Sequence, residues 1–264
     1  MGRGGGANTE QWWTCDSKDV RVTLLRSLSG NLEGSFDIEY RPRVLSSTMQ
    51  AQEHTLKILT RELGDFYIKL LLTAQPPIGR PKMRFNISLG NTQTEFFVFT
   101  AYNRSKCDYL CSVSDPSAFI VQKNLMVDAI SKWEGETLRL GVTFDPSEIG
   151  ECRGILKVFH PEGGSYECDL VALCSPPAPQ GPFNISAGNS ISVPFRNCFT
   201  SSQLWNFSVD SPNFKLATSS LTVAGKSDGA CTVAFDPKIP GNSNAKLFVS
   251  CGTNPPWVFY LRGV

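Results

Sequence analysis

The chain repeats itself at long range, and this constrains its fold more than any other feature. The segment at residues 85–92 reads FNISLGNT and returns at 183–190 as FNISAGNS. The triplet Phe144-Asp145-Pro146 returns as Phe235-Asp236-Pro237, and a weaker copy, Tyr40-Arg41-Pro42, lies upstream. A period this long, with one set of strand and turn signals per copy, predicts tandem domains of one fold.

The repeats divide the chain of 264 residues into three predicted units. Paired prolines, Pro76-Pro77 and Pro176-Pro177, lie one hundred residues apart, each ahead of one clear copy, and predict extended linkers. We therefore expect complete β-sandwich repeats at residues 76–175 and 176–264. For residues 1–75 we expect an incomplete or degenerate repeat with a flexible N-terminus.

The first unit is expected to be incomplete because its strand signals begin late. The strand from Phe36 to Tyr40 and those after it match only the closing strands of the other units. A lone hairpin is marginally stable in water, so we expect no independent fold over residues 1–35. Trp12 and Trp13 would then be exposed unless a neighbouring domain covers them. We favour a fragment, or an alternative product, of a longer array.

Each complete unit is expected to contain about seven short antiparallel strands. The clearest, at residues 137–144, alternates apolar with other residues and ends at Asp145-Pro146, because proline donates no ladder hydrogen bond. The segments at 154–159 and 165–171 predict a hairpin. A short insert near Met126 to Lys132 is a candidate helix. Seven strands with frequent turns predict an all-β protein of tandem immunoglobulin-like, seven-stranded antiparallel β-sandwiches.

The repeated Phe-Asp-Pro triplet gives two further expectations. Phe144 and Phe235 each end an alternating strand, so we expect them to be equivalent and buried. Asp145 and Asp236 also recur, which would suit a catalytic carboxylate. An aspartate before proline also sets a turn at a strand end, and we favour that structural role for both.

The nine cysteines argue against a metal site. Their number is odd, they form no Cys-x-x-Cys pair, and only His54 and His160 could join them as zinc ligands. Several, such as Cys168 and Cys231, fall within alternating apolar runs, where a free cysteine packs as a small hydrophobe. We predict mostly reduced thiols and, from them, an intracellular protein.

Charge and motifs argue against several classes of function. The net charge is +1 and no run of five like charges exists, which does not favour nucleic-acid binding. We expect neither a secretory signal nor membrane insertion, since no apolar stretch approaches the length of a membrane span. Phosphate loops, and dinucleotide-binding glycine motifs that follow a strand, are absent from the sequence. We therefore expect no enzyme: no catalytic, cofactor-binding or metal-binding residue is assigned, and the binding residues stay unknown.

The pattern of a strand ending in Phe-Asp-Pro, a glycine-containing turn and Gly-x-Leu-x-Val resembles the major-sperm-protein superfamily. More narrowly, it is similar to the Hydin-type (ASH) domains of ciliary and centrosomal proteins. The resemblance covers residues 76–264 well and 36–75 in part. The matching positions are Gly141 to Pro146, Gly150, Gly154, Leu156, Val158 and Tyr166, then Thr232 to Pro237, Gly241, Leu247, Val249 and Gly263.

The resemblance implies a non-catalytic structural protein of the cytoplasm and cytoskeleton, placed in the axoneme of a cilium or sperm flagellum. Its partners would be other axonemal or microtubule-associated proteins, and exposed sheet edges could pair with partner strands. Some relatives bind short peptides on one sheet through basic residues, but the sequence places no such site here.

Two other functions stay open. The first is an extracellular immunoglobulin-like adhesion or receptor fragment with oxidised cysteines. It would use the four Asn-x-Ser sequons at Asn86, Asn103, Asn184 and Asn206. The second is a peptide-binding adaptor, which needs a basic groove.

Overall fold

The structure is a computed structural model, and it describes residues 13–26, 34–43, 51–60, 64–75, 77–238, 241 and 243–264. Within these ranges the chain forms 21 strands and no helix. The predicted class, all-β with immunoglobulin-like sandwiches, is confirmed. The start of the predicted flexible N-terminus lies outside the described residues, and so do Trp12 and Pro76.

The described residues of the first unit form five strands in two sheets. They are β1 (Trp13–Cys15), β2 (Val20–Arg26), β3 (Ser35–Tyr40), β4 (Gln52–Thr60) and β5 (Gly64–Leu72). One sheet has the order β1-β4-β5 and the other pairs β2 with β3. The sequence predicted only the closing strands of this unit, from Phe36 onward. Strands β1 and β2 were therefore not predicted. Trp13, expected to be exposed, is half-buried, with its ring centroid 5.4 Å from that of Phe36.

The second unit has eight strands in two sheets. They are β6 (Lys82–Ser88), β7 (Gln93–Ala101), β8 (Cys107–Val113), β9 (Phe119–Val121), β10 (Asn124–Val127), β11 (Glu136–Phe144), β12 (Gly150–His160) and β13 (Gly164–Ser175). One sheet has the order β10-β8-β12-β13-β6 and the other β7-β11-β9. Met126 therefore lies in a strand, and the candidate helix near it is wrong.

The third unit repeats this topology strand for strand. Its strands are β14 (Gln180–Ile185), β15 (Ser190–Arg196), β16 (Gln203–Val209), β17 (Phe214–Leu216), β18 (Ser220–Val223), β19 (Asp228–Phe235), β20 (Ser243–Ser250) and β21 (Trp257–Gly263). The sheets have the orders β18-β16-β20-β21-β14 and β15-β19-β17. The second and third units thus have eight strands each among the described residues, one more than the seven expected, and β10 and β18 are the additional ones. The boundaries between domains stay predictions.

Aromatic side chains fill the space between the two sheets of each complete unit. In the second unit the ring of Phe99, on β7, lies 4.5 Å from that of Tyr166, on β13. In the third unit Phe195 and Trp205 have ring centroids 5.1 Å apart. Phe144 and Phe235 are fully buried, as predicted. They are equivalent by register, since each pairs with the first residue of its neighbouring strand, Phe119 or Phe214.

The first unit corresponds in register to part of the second. Leu56 pairs with Ile68 as Leu156 pairs with Cys168, an offset of one hundred residues. Strands β1 to β5 therefore correspond to β8, β9, β11, β12 and β13. Among the described residues of the first unit, no strand corresponds to β6, β7 or β10.

Candidate functional site: the joints between units

One position is equivalent in all three units, and we call it the joint position. It follows the aromatic residue that ends the β3, β11 or β19 strand, and a proline comes next. In each unit its backbone N–H donates to the residue just before the paired strand, at 2.8–2.9 Å. The three donor and acceptor pairs are Arg41 with Asp19, Asp145 with Ala118, and Asp236 with Asn213.

Asp145 joins the second unit to the third through a buried ion pair. Its side chain is only 4% exposed. The two carboxylate oxygens accept hydrogen bonds from Nη1 and Nη2 of Arg196, both at 3.0 Å. This bidentate geometry is the strongest form of a carboxylate–guanidinium contact. Lys226 adds a second cation, with Nζ 3.3 Å from Oδ1 and 2.9 Å from the Asp145 carbonyl oxygen.

The backbone around this joint is fixed on both sides. Lys226 has φ 54°, in the left-handed region that a residue with a Cβ adopts at a cost of roughly 1–2 kcal/mol. Ser147 Oγ donates to the Cys198 carbonyl oxygen at 3.0 Å. Gly90, at φ 96°, packs so closely on Trp257 that a Cβ would lie 2.6 Å from the indole Nε1. The Lys226 N–H donates to the Phe199 carbonyl oxygen at 2.9 Å, so the backbone of the residue that contacts Asp145 is itself hydrogen-bonded within the third unit.

Arg41 joins the first unit to the second with different chemistry. Its guanidinium lies 5.4 Å from the ring centroid of Trp133 and 5.9 Å from that of Tyr102. Nη1 donates to the Trp133 carbonyl oxygen at 3.0 Å. The Trp133 indole N–H donates back to Glu39 at 2.7 Å, and Glu39 also accepts from Arg41. The indole hydrogen bond, aided by Arg41, lowers the pKa of Glu39.

Both joints use the same two segments of the following unit. Tyr102 and Arg196 lie at the end of β7 and β15, while Trp133 and Lys226 lie in the loops before β11 and β19. A buried asparagine holds the two segments together in each unit. The Asn103 amide donates to the carbonyls of Val127 and Asp128, and the Asn197 amide to those of Val223 and Ala224.

Asp236 occupies the joint position of the third unit. Its side chain is 61% exposed and pairs with Lys215 of the same unit. The Lys215 ammonium lowers the pKa of Asp236. The same residue in the same local turn is therefore buried in one unit and exposed in the other, according to what packs against it.

The sequence identified these aspartates but not what they do. We favoured a turn-setting role, whereas the Asp145 carboxylate bonds across to Arg196 and the Asp236 carboxylate to Lys215. Arg196 and Lys226 were missed, because they lie 51 and 81 residues along the chain from Asp145. The available signal was Tyr40-Arg41-Pro42, in which a cation replaces the acid at the same position.

The cysteines do not form a reactive centre. All nine are free thiols. Burial raises the pKa of several to about 11, so that they stay protonated and inert. These are Cys111, Cys174, Cys198 and Cys231. The described residues contain no cluster of three His, Cys, Asp or Glu side chains fit for a metal ion. In the same residues, no helix is long and apolar enough to cross a membrane.

The sequons differ in accessibility. Asn103 is fully buried, and its amide donates to three backbone carbonyls, so the folded chain offers no room for a glycan there. Asn86, Asn184 and Asn206 are exposed. Together with the nine free thiols, this does not favour the extracellular alternative.

These features define a class of protein: a tandem array of immunoglobulin-like β-sandwiches with specific polar contacts at each joint. No family model matches the chain. It is 31% identical over 260 residues to the human (Homo sapiens) hydrocephalus-inducing protein homolog. It is 32% identical over 262 residues to the hydrocephalus-inducing protein of Mus musculus. Both alignments cover 95% of this chain, which therefore contains Hydin-like domain sequence over nearly its whole length.

The chain spans only 5% of the length of these two relatives. Solved structures resemble it more distantly. The D00-D0 domain of Intimin covers 69% of this chain and 96% of its own, with 12% identity and a TM-score of 0.29. The Escherichia coli chaperone DraB covers 68% of this chain and 92% of its own, with 14% identity and a TM-score of 0.26. The fold assignment therefore depends on the strand order described above.

Proposed function

We propose that this chain is part of a non-catalytic structural protein of the ciliary or flagellar axoneme, in the cytoskeleton of the cell. Its sandwiches would act as a spacer of fixed geometry that contacts other axonemal or microtubule-associated proteins. The narrower expectations, namely ASH-type domains, similarity to cilia- and flagella-associated protein 47 and a role in sperm motility, are part of the same proposal.

The joint at Asp145 is the observation that best supports a spacer. Domain interfaces within one chain usually permit relative motion unless something specific holds them. Here a buried bidentate pair and a second cation set the orientation of two neighbouring sandwiches. At the joint between the first and second units, the Arg41 guanidinium has the same effect through its contacts with the rings of Tyr102 and Trp133. Fixed joints transmit force and position, which a structural element of a beating organelle requires.

Localisation and rescue in motile cells test the proposal. A tagged full-length protein should lie along the axoneme, and its depletion should reduce beating while leaving cellular ATP unchanged. Wild-type protein should restore beating, and the Asp145→Arg variant, which puts a third cation into the joint, should not. Glu151→Arg makes the same charge change at an exposed side chain and should restore it. Secretion with glycans on Asn86 and Asn184, or normal beating after depletion, would contradict the proposal.

A further inference from the structure

A cleft opens between the first and second units, beside the joint that Arg41 makes. It has a volume of about 460 Å³ and is lined by Lys18, Arg104, Ser131 and Trp133. Lys18 lies in the turn between β1 and β2 of the first unit, whereas the other three lie in loops of the second unit. Clefts of roughly 300–1,000 Å³ are usual for ligand sites. The two units therefore build a concave surface together.

Arg104 is held in place at the wall of this cleft. Its Nη1 donates to the carbonyl oxygens of Ile130 and Lys132, both at 2.9 Å. The guanidinium also lies 5.5 Å from the ring centroid of Trp133. Its Nη2 and Nε have no hydrogen-bond partner among the described residues. A guanidinium fixed through one nitrogen keeps the rest of its fork ready for a carboxylate.

The cleft also holds positive charge that is not neutralised. Within the part of the chain that the structure describes, neither Lys18 nor Arg104 has an acidic partner. Three acids at this joint each pair with another cation: Asp19 with Arg43, Glu39 with Arg41, and Glu134 with Arg21. None of the four residues that line the cleft is acidic. Two cations from two different units therefore face the same cleft unpaired.

The second joint shows what such a pair of cations binds on this fold. There one arginine and one lysine, Arg196 and Lys226, hold the carboxylate of Asp145. The cleft offers the same two chemical groups without a carboxylate of its own. A carboxylate from elsewhere would complete the same arrangement at the first joint.

We propose that the cleft binds a glutamate or aspartate side chain from an acidic segment of another protein. The carboxylate would accept hydrogen bonds from the free part of the Arg104 fork and from the Ser131 hydroxyl. The Lys18 ammonium would be the second cation. Because Lys18 belongs to the first unit and the other groups to the second, the bound segment would also strengthen the first joint.

The test uses the whole chain and a labelled peptide in which three glutamates are flanked by glycines. Fluorescence anisotropy measures its affinity, and a peptide with glutamines in their place is the control. We expect saturable binding of the glutamate peptide. The glutamine peptide should bind at least about ten-fold more weakly, because a neutral amide makes no charged hydrogen bond with either cation.

Ser131 gives the sharpest pair of variants. Its side chain is exposed and makes no hydrogen bond among the described residues, so its replacement removes no contact. Ser131→Glu places an acid beside both cations and should weaken peptide binding at least about ten-fold. Ser131→Gln has the same size, and its amide can still donate, so affinity should stay within about three-fold of the wild type.

The two cations are tested separately. Arg104→Lys keeps the charge but not the fork and should weaken binding about ten-fold. If that variant melts earlier through its loop contacts, Ser131→Glu still tests the site. Lys18→Gln should weaken binding about three-fold, since an exposed ion pair is weak. Lys106→Gln makes the same charge change at a lysine outside the cleft, which pairs with Asp128, and should leave affinity unchanged.

The outcomes decide between a built site and general attraction. Binding that survives Ser131→Glu, or that Lys18→Gln and Lys106→Gln weaken equally, would overturn the proposal. Binding of a phosphoserine peptide without binding of the glutamate peptide would identify a phosphate site and also overturn it. Peptide binding in solution does not depend on a ciliary location, so its failure would leave the proposed function standing.

Discussion

The substitution Asp145→Ala tests whether the second joint stabilises the array or merely reflects chain proximity. Removing one member of a buried ion pair costs about 3–5 kcal/mol, because its partner is left without compensation. Here the partners, Arg196 and Lys226, keep side-chain exposures of 25% and 27%, so water can partly replace the carboxylate. We therefore expect the lower end of the range, about 3 kcal/mol. The Asp145 carboxylate accepts its hydrogen bonds from Arg196 of the third unit. The loss of unfolding free energy in Asp145→Ala therefore measures how much the joint stabilises the two units.

Urea denaturation of the full chain measures this loss. Two of the five tryptophans, Trp205 and Trp257, lie in the third unit, so unfolding of that unit contributes to the fluorescence change. With a urea dependence of about 2 kcal/mol per molar, the third-unit transition should move down by about 1.5 M. Asp236→Ala is the matched control, since it changes the same residue at the equivalent exposed position. Its cost should stay below about 1 kcal/mol.

A double-mutant cycle separates the joint from other effects of the substitution. Asp145→Ala combined with Arg196→Ala should cost less than the sum of the two single changes, by at least about 1.5 kcal/mol. Equal midpoint shifts for Asp145→Ala and Asp236→Ala, or additive costs in the cycle, would refute the reasoning, because they would show that the buried pair does not couple the units.

Three further predictions concern other parts of the chain. The pKa of Glu39 is lowered from about 4.5 on folding, so its contribution is complete above about pH 4.5 and is lost as pH falls through the folded pKa. Urea midpoints should therefore fall more steeply from about pH 5 to about pH 3 in the wild type than in Glu39→Gln. Burial, with a smaller effect of Asp115, raises the pKa of Cys152 to about 11. Asp115→Asn should thus speed alkylation of Cys152 about three-fold by mass spectrometry, and an unchanged rate would count against that account. Phe235→Ala should cost about 3–5 kcal/mol in calorimetry, whereas Phe96→Ala, at an exposed position, should cost less than about 1.

The sequence correctly predicted those strands whose residues show a clear local periodicity. Alternation at residues 137–144 predicted a strand, and the buried Phe144 that ends it followed from the same pattern. Strand β10, Asn124–Val127, was missed because four residues are too few to show a period, and the segment near Met126 to Lys132 was interpreted as an insert instead. The joints were missed for a different reason. Asp145 and Asp236 are locally alike, and only contacts made across long stretches of chain distinguish them.

The two joints also determine which units can be neighbours. At the first, the joint position is a cation that needs the aromatic faces of Tyr102 and Trp133. At the second, it is an anion that needs Arg196 and Lys226. Exchanging the units would bring Arg41 against two cations, and like charges at close range oppose binding. It would also bring Asp145 against ring faces, which carry partial negative charge. One backbone position therefore builds the same joint twice, while its side chain fixes the order of the sandwiches.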